Sequence, residues 1–148
     1  MLIFGMYQEW IKRLSTGRWI IGLLLVTWAV YGYMLLYSIP HLVELTGGMK
    51  PLDVLPQGYS SDYVQSLFRA LGEDGRHHYL THQIPIDLVY PALFIVTYSL
   101  LTFYLLRNSG TRERLATQLS VIPVLAGLCD YMENLGIVIM LRSFPDIS

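Results

Sequence analysis

The sequence predicts an all-α integral membrane protein, a helical bundle with three transmembrane helices. Three observations carry this. The chain is 53% hydrophobic. Only 14% of its residues are charged, against roughly 25% in ordinary soluble domains. It also contains three long apolar stretches: residues 18–39, 85–106 and 118–141. Crossing a hydrocarbon core of about 30 Å takes roughly 20 mostly apolar helical residues, and each stretch meets that length. A net charge of −1 leaves no basic footprint for nucleic acid. The single cysteine, Cys129, excludes an intrachain disulfide and a cysteine-based zinc site.

The 148 residues are read as one membrane domain. Residues 1–17 come first. Leu2, Ile3, Met6, Tyr7, Trp10, Ile11 and Leu14 recur at spacings of three and four, with Gln8, Glu9, Lys12 and Arg13 opposite. This pattern predicts an amphipathic helix lying in the membrane interface. The first span, 18–39, carries no charge after Arg18 and is too long for a signal-peptide core, so it reads as an uncleaved signal anchor. Tyr31, Tyr33 and Tyr37 at one end and Trp19 at the other form an aromatic belt.

Loop 40–84 follows, with "TGGMKPLDVLPQG" as irregular chain. Within the loop, "SSDYVQSLFRALG" predicts a short helix over 61–71, capped by Ser60 or Ser61 and stopped at Gly72. Its apolar stripe is Val64, Leu67, Phe68 and Leu71. Spans 85–106 and 118–141 flank a short loop, 107–117, holding Arg107, Arg112 and Arg114. Lys12, Arg13 and Arg18 precede the first span, whereas loop 40–84 mixes both signs. The positive-inside rule then places the N-terminus in the cytoplasm and loop 40–84 outside, in the plasma (cell inner) membrane. An odd number of spans is also what a shortened four-helix protein would show.

The chemistry concentrates in "GLCDYMENLGIVIML". At 100° per residue, Asp130, Glu133 and Asn134 share a side with Pro123, Ala126, Gly127 and Ile137. Val121, Leu125, Leu128, Met132, Leu135 and Ile139 form the opposite, lipid-facing side. A central acid costs about 2.5–3.5 kcal/mol on insertion, and each Leu or Ile returns only about 0.3–0.6. Neighbouring helices must therefore shelter the polar side. The second span offers Asp87, Pro91, Phe94, Tyr98 and Thr102 in one stripe, and Gly22, Ala29 and Gly32 of the first span are expected to close the back. Such residues can serve simply as helix–helix glue, but two acids one turn apart plus an amide exceed what glue needs.

The candidate ligand-binding residues are thus Asp130, Glu133 and Asn134 at the centre, Tyr98 and Thr102 facing them, Asp87 at the mouth, and Arg76 for a lipid head group. His78 and His82, at i and i+4, and His41 and Glu44, at i and i+3, have spacings that can hold a metal. No metalloprotease motif accompanies them, and hydrogen-bonded interfacial histidines are the expectation, with no metal and no cofactor. If the helix runs unbroken through Pro85, His78 points away from Asp87, while Arg76, Tyr79 and Gln83 share its side.

The pairing of "GRHHYLTHQIPIDLVYPALF" with "PVLAGLCDYMENLGIVIML" resembles a family of small polytopic membrane proteins. In that family a G-R-x-x-Y…D…Y-P segment precedes a D-x-x-E-N helix. The resemblance covers about a quarter of the chain. It implies four spans, making this a shortened member, and brings no assigned activity. The proline-rich exit of the first span and Asp130 on the "IPVLAG" helix are also similar to the emopamil-binding/sigma-2 type membrane domain. That similarity implies intramembrane acids around a sterol-like ligand.

The expected function is binding of a lipid or amphipathic small molecule in an outward-facing pocket between the second and third spans. Two alternatives stand beside it. One is an enzyme on a lipid substrate, using an acid of shifted pKa as general acid or base. The other is an accessory or assembly subunit whose acids pair with a partner helix. Expected partners are membrane lipids and a further membrane helix, from a second copy or another protein, and no nucleic acid.

Overall fold

The computed structural model describes residues 2–146, and the side chains of 5–146. It is all-helical, with no strand among the described residues. Four helical stretches follow one another: α1 (Leu2–Leu14), α2 (Gly17–Leu45), α3 (Ser61–Asn108) and α4 (Glu113–Ser143). The last three are each long and apolar enough to cross a membrane, the build of an integral membrane protein. The helix expected over 61–71 does form, with Ser60 accepting from the Tyr63 N–H at 3.2 Å. It does not end at Gly72. Gly72 takes φ 65°, a kink that glycine tolerates, and the helix resumes towards the second span. Helix α4 begins inside the expected loop 107–117 and has a turn at Ser120–Val121.

The chain packs as two compact units. The first comprises Met1–Ala29 and Tyr90–Cys129, the second Val30–Val89 and Asp130–Ser148. In the first unit, Ile11, Ile20, Leu100, Phe103 and Ala116 form the core, with Tyr7 and Leu14 packed against it. The predicted apolar side of α1 is therefore divided. Ile11 is fully buried, while Met6 and Trp10 stay exposed. The side chains of Leu2 and Ile3 lie outside the described residues. The Tyr7 hydroxyl donates to the Ser120 carbonyl at 2.9 Å, and Lys12 pairs with Glu113 at 2.8 Å.

The buried hydroxyls of Thr27 and Thr97 meet at 2.8 Å, a hydrogen bond between α2 and α3. Gly22 and Gly32 do not serve close approach, because nothing lies within 4 Å of where a Cβ would stand. That role falls to Gly127. A Cβ there would meet Ile95 Cδ1 at 2.6 Å and the Pro91 carbonyl oxygen at 3.3 Å. Helix α4 approaches α3 closely here, with the Ile95 side chain packed into the space a Cβ at 127 would take.

In the second unit, Leu42, Leu52, Val64, Leu67, Phe68, Leu71, Tyr79, Ile84, Ile137 and Leu141 form the core. The stripe predicted on residues 61–71 is thus buried as a whole. On the side of α4 expected to face lipid, Leu125, Leu128, Met132, Leu135 and Ile139 are all more than half exposed and Val121 is half-buried, while Ala126 and Glu133 of the side expected to be sheltered are exposed as well.

Replacing Gly127 with Leu should cost about 1–3 kcal/mol by overpacking. Gly136→Ala, where nothing lies within 4 Å, should be neutral or stabilising by up to about 1 kcal/mol. Thermal unfolding of the detergent-purified variants checks both, and a Gly127→Leu protein as stable as wild type would contradict the close approach.

Candidate functional site

Pro40 and Pro85 of the second unit, and Pro91 just past its boundary in α3, shape the local backbone. Proline has no N–H, and in a helix its ring crowds the carbonyl four residues earlier. Ahead of Pro40 and Pro85 the chain responds in the same way. It opens into a π turn, Met34–Ser38 in one case and Tyr79–Gln83 in the other. The Ile39 N–H reaches Met34 O and the Ile84 N–H reaches Tyr79 O, five residues back instead of four. The local sequences are matched, "SIP" and "QIP". Single π turns inside α-helices are frequent at functional sites.

Each π turn ends on a buried polar side chain, and these two meet. The Ser38 hydroxyl donates to Gln83 Oε1. The Gln83 amide nitrogen donates to Asp87 Oδ2 at 2.7 Å and to Asp53 Oδ2 at 3.1 Å. This orientation follows from chemistry: carboxylates accept, so the amide's NH2 must face them and its oxygen must face the hydroxyl. The Tyr79 hydroxyl donates to Asp53 Oδ1 at 2.6 Å and accepts from the Leu52 N–H at 3.2 Å. Gln83 and Tyr79 are fully buried, and Asp87 is 5% exposed.

Pro91 explains Asn134. In a regular helix the Asp87 carbonyl would accept from the N–H of residue 91, which proline lacks. The buried Asn134 side chain supplies the missing donor, Nδ2 to Asp87 O at 2.9 Å. Tyr131 donates to the neighbouring Leu88 carbonyl at 2.8 Å. The carbonyls of Asp87 and Leu88 are thus both satisfied from α4. Among the described residues, Ser99 Oγ is the one buried side-chain polar atom without a partner.

The two acids of α4 differ from Asp87. Asp130 is half-buried and Glu133 exposed, and neither makes a hydrogen bond or ion pair among the described residues. Asp53 lies within electrostatic reach of both, and Asp130 within reach of Glu133. Half-buried Tyr59 borders the same face. Burial raises its hydroxyl pKa above the ordinary range, and Glu133 and Asp53 add to the rise. The arrangement is a polar, hydrogen-bonded floor beside two carboxylates that make no hydrogen bond or ion pair among the described residues.

The other predicted residues are placed as follows. Tyr98 belongs to the first unit, half-buried with its ring 4.6 Å from Phe94. Thr102, in the same unit, lines a cleft of 410 Å³ whose other walls are Leu105, Leu106, Leu119, Ile122 and Pro123. Arg76 is held within its own helix: it donates to the Phe68 carbonyl at 2.8 Å, across the Gly72 kink, and lies 4.5 Å from the Phe144 ring centre. The histidines do gather. His41 meets His78 edge-on at 4.8 Å, and His78 stacks on His82 at 4.4 Å. Glu44 is exposed. No group of three or more potential ligands among the described residues has metal-binding geometry.

Sequence reasoning missed Ser38 and Asp53, and it placed Tyr79 and Gln83 beside Asp87 without a role. The repeated polar–Ile–Pro triplet was the available signal.

The fold and site define a helical membrane protein with a proline-shaped polar interior. Comparison with family models, with curated proteins and with solved structures finds no match.

Asn134→Leu should cost about 1–3 kcal/mol, the usual penalty for orphaning a buried carbonyl. In a Pro91→Ala background, which restores an N–H at residue 91, the same substitution should cost markedly less. A double-mutant cycle read by thermal or denaturant unfolding measures the coupling, and additivity would refute the capping role.

Proposed function

We propose that this is a multi-pass membrane protein that binds a lipid or other amphipathic small molecule at the acidic face of its second unit. Asp130 and Glu133 are the groups that meet the ligand. Asp87, Gln83 and Asn134 act as a rigid polar floor. The basic residues before α2 and after α3 support a cytoplasmic N-terminus in the plasma (cell inner) membrane.

One observation carries the reading. Two carboxylates one turn apart on an apolar helix make no hydrogen bond or ion pair among the described residues, while the neighbouring Asp87 carboxylate accepts from Gln83. Ionisable groups in a membrane helix are expensive to leave unpaired. An acidic face complements a head group with hydrogen-bond donors or positive charge.

The same free acids favour a second reading, an accessory subunit whose Asp130 and Glu133 pair with basic side chains of a partner helix. Native mass spectrometry of gently purified wild type and an Asp130→Asn/Glu133→Gln variant separates the two. A bound small molecule lost in a variant of unchanged elution supports the first reading, and a lost protein subunit supports the second. A folded variant with unchanged contents would refute both.

A further inference from the structure

A second candidate site lies in the first unit, independent of the acidic face. Helix α1 and the C-terminal end of α3 line a shallow, open cleft of 690 Å³ formed by Glu9, Trp10, Lys12, Arg13 and Arg107. Three cations stand against one carboxylate. Lys12 is already committed: its ammonium pairs with Glu113 Oε1 at 2.8 Å, and the same oxygen accepts from Gln8 at 2.7 Å. Glu113 is thereby engaged twice over, and no other ion pair exists among the described residues. Arg13 and Arg107, both exposed, are left with open guanidinium groups in the cleft.

A guanidinium presents a planar fork of donors that matches two phosphate oxygens. Two forks in one concavity are suited to a single phosphate diester. The rest of the wall says what the phosphate is attached to. Trp10 is 40% exposed and Met6, one turn earlier, 67% exposed, on the side of α1 that the unit's core leaves uncovered. An amphipathic indole beside exposed apolar surface is the usual furniture of a membrane–water interface. A soluble phosphate compound would have no use for it, whereas acyl chains would cover it. Exposed Arg112 and Arg114 follow closely in sequence and add positive field.

We propose that this cleft binds the headgroup phosphate of an anionic phospholipid, with Arg13 and Arg107 as its ligands and Trp10 marking the depth of the head group.

The test uses the full chain in detergent and native mass spectrometry with added phosphatidylglycerol or phosphatidylcholine. Wild type should retain phosphatidylglycerol about tenfold or more over phosphatidylcholine. An Arg13→Gln/Arg107→Gln variant should lose that preference. A Lys50→Gln/Arg69→Gln variant, which removes two exposed cations of the second unit, should keep it. Matching circular dichroism and elution establish that each variant is folded. Equal retention of the two lipids by wild type overturns the proposal, as does unchanged preference in Arg13→Gln/Arg107→Gln or its loss in Lys50→Gln/Arg69→Gln. Millimolar inorganic phosphate should not displace phosphatidylglycerol. Displacement would assign the cleft to a soluble phosphate and overturn the lipid assignment.

Discussion

A helix in lipid must satisfy its own backbone, because no water is present to do so. Proline breaks that self-sufficiency, and this chain places Pro40, Pro85 and Pro91 in helices long enough to span. The second unit follows from how those breaks are repaired. Two are absorbed by widening the helix into π turns, which carry Ser38 and Gln83 into the interior at the end of each turn. The third is repaired from outside, by the Asn134 amide on the Asp87 carbonyl. An amide read from the sequence as a ligand-binding group is, in the fold, a buried substitute for a missing N–H.

Once the backbone is repaired, the interior polar groups have few choices left. Gln83 spends its two amide donors on Asp53 and Asp87 and its oxygen on Ser38. Tyr79 takes the remaining oxygen of Asp53. Satisfied networks of this kind rigidify the core around them, and a partly satisfied one would be worse than an apolar core. The chain thus keeps one carboxyl, Asp87, at 5% exposure without leaving it unpaired.

Much of the helical layout was legible because it depends on period and length. The apolar stripe of residues 61–71 and the lipid side of α4 rest on 3.6-residue spacing, which burial respects. The interior was less legible because a π turn inserts one residue and rotates everything beyond it by about 100° relative to a regular helix. An unbroken helix would have set Arg76, Tyr79 and Gln83 on the side of Asp87; with the π turn, Gln83 reaches Asp87, Tyr79 reaches Asp53 and Arg76 turns to the Phe68 carbonyl. Ser38 was overlooked, since a lone serine near the end of an apolar run stands out only when its Ser-Ile-Pro triplet is set beside Gln-Ile-Pro. Asp53 was hidden for another reason: it reaches the site from a Gly- and Pro-rich segment that carries no periodicity. Gly22 and Gly32 looked like close-packing residues by type, yet Gly127 does that work, and residue type alone could not rank them.

The contrast between Asp87 and the α4 acids separates stability from function more sharply than either alone. Asp87 is held by Gln83 and its carbonyl by Asn134, so its presence is explained by the fold. Asp130 and Glu133 contribute no hydrogen bond to that network, while their neighbours in charge are further acids. A fold selected only for stability gains nothing by keeping two unpaired carboxyl groups on an apolar helix. On the reading proposed above, their compensation comes from a bound head group or a partner helix. The side of α4 carrying Leu128, Met132 and Leu135 is already suited to acyl chains, so what remains to be supplied is a polar or cationic group. A ligand head group or a partner's basic side chain, the two readings proposed above, would each supply it.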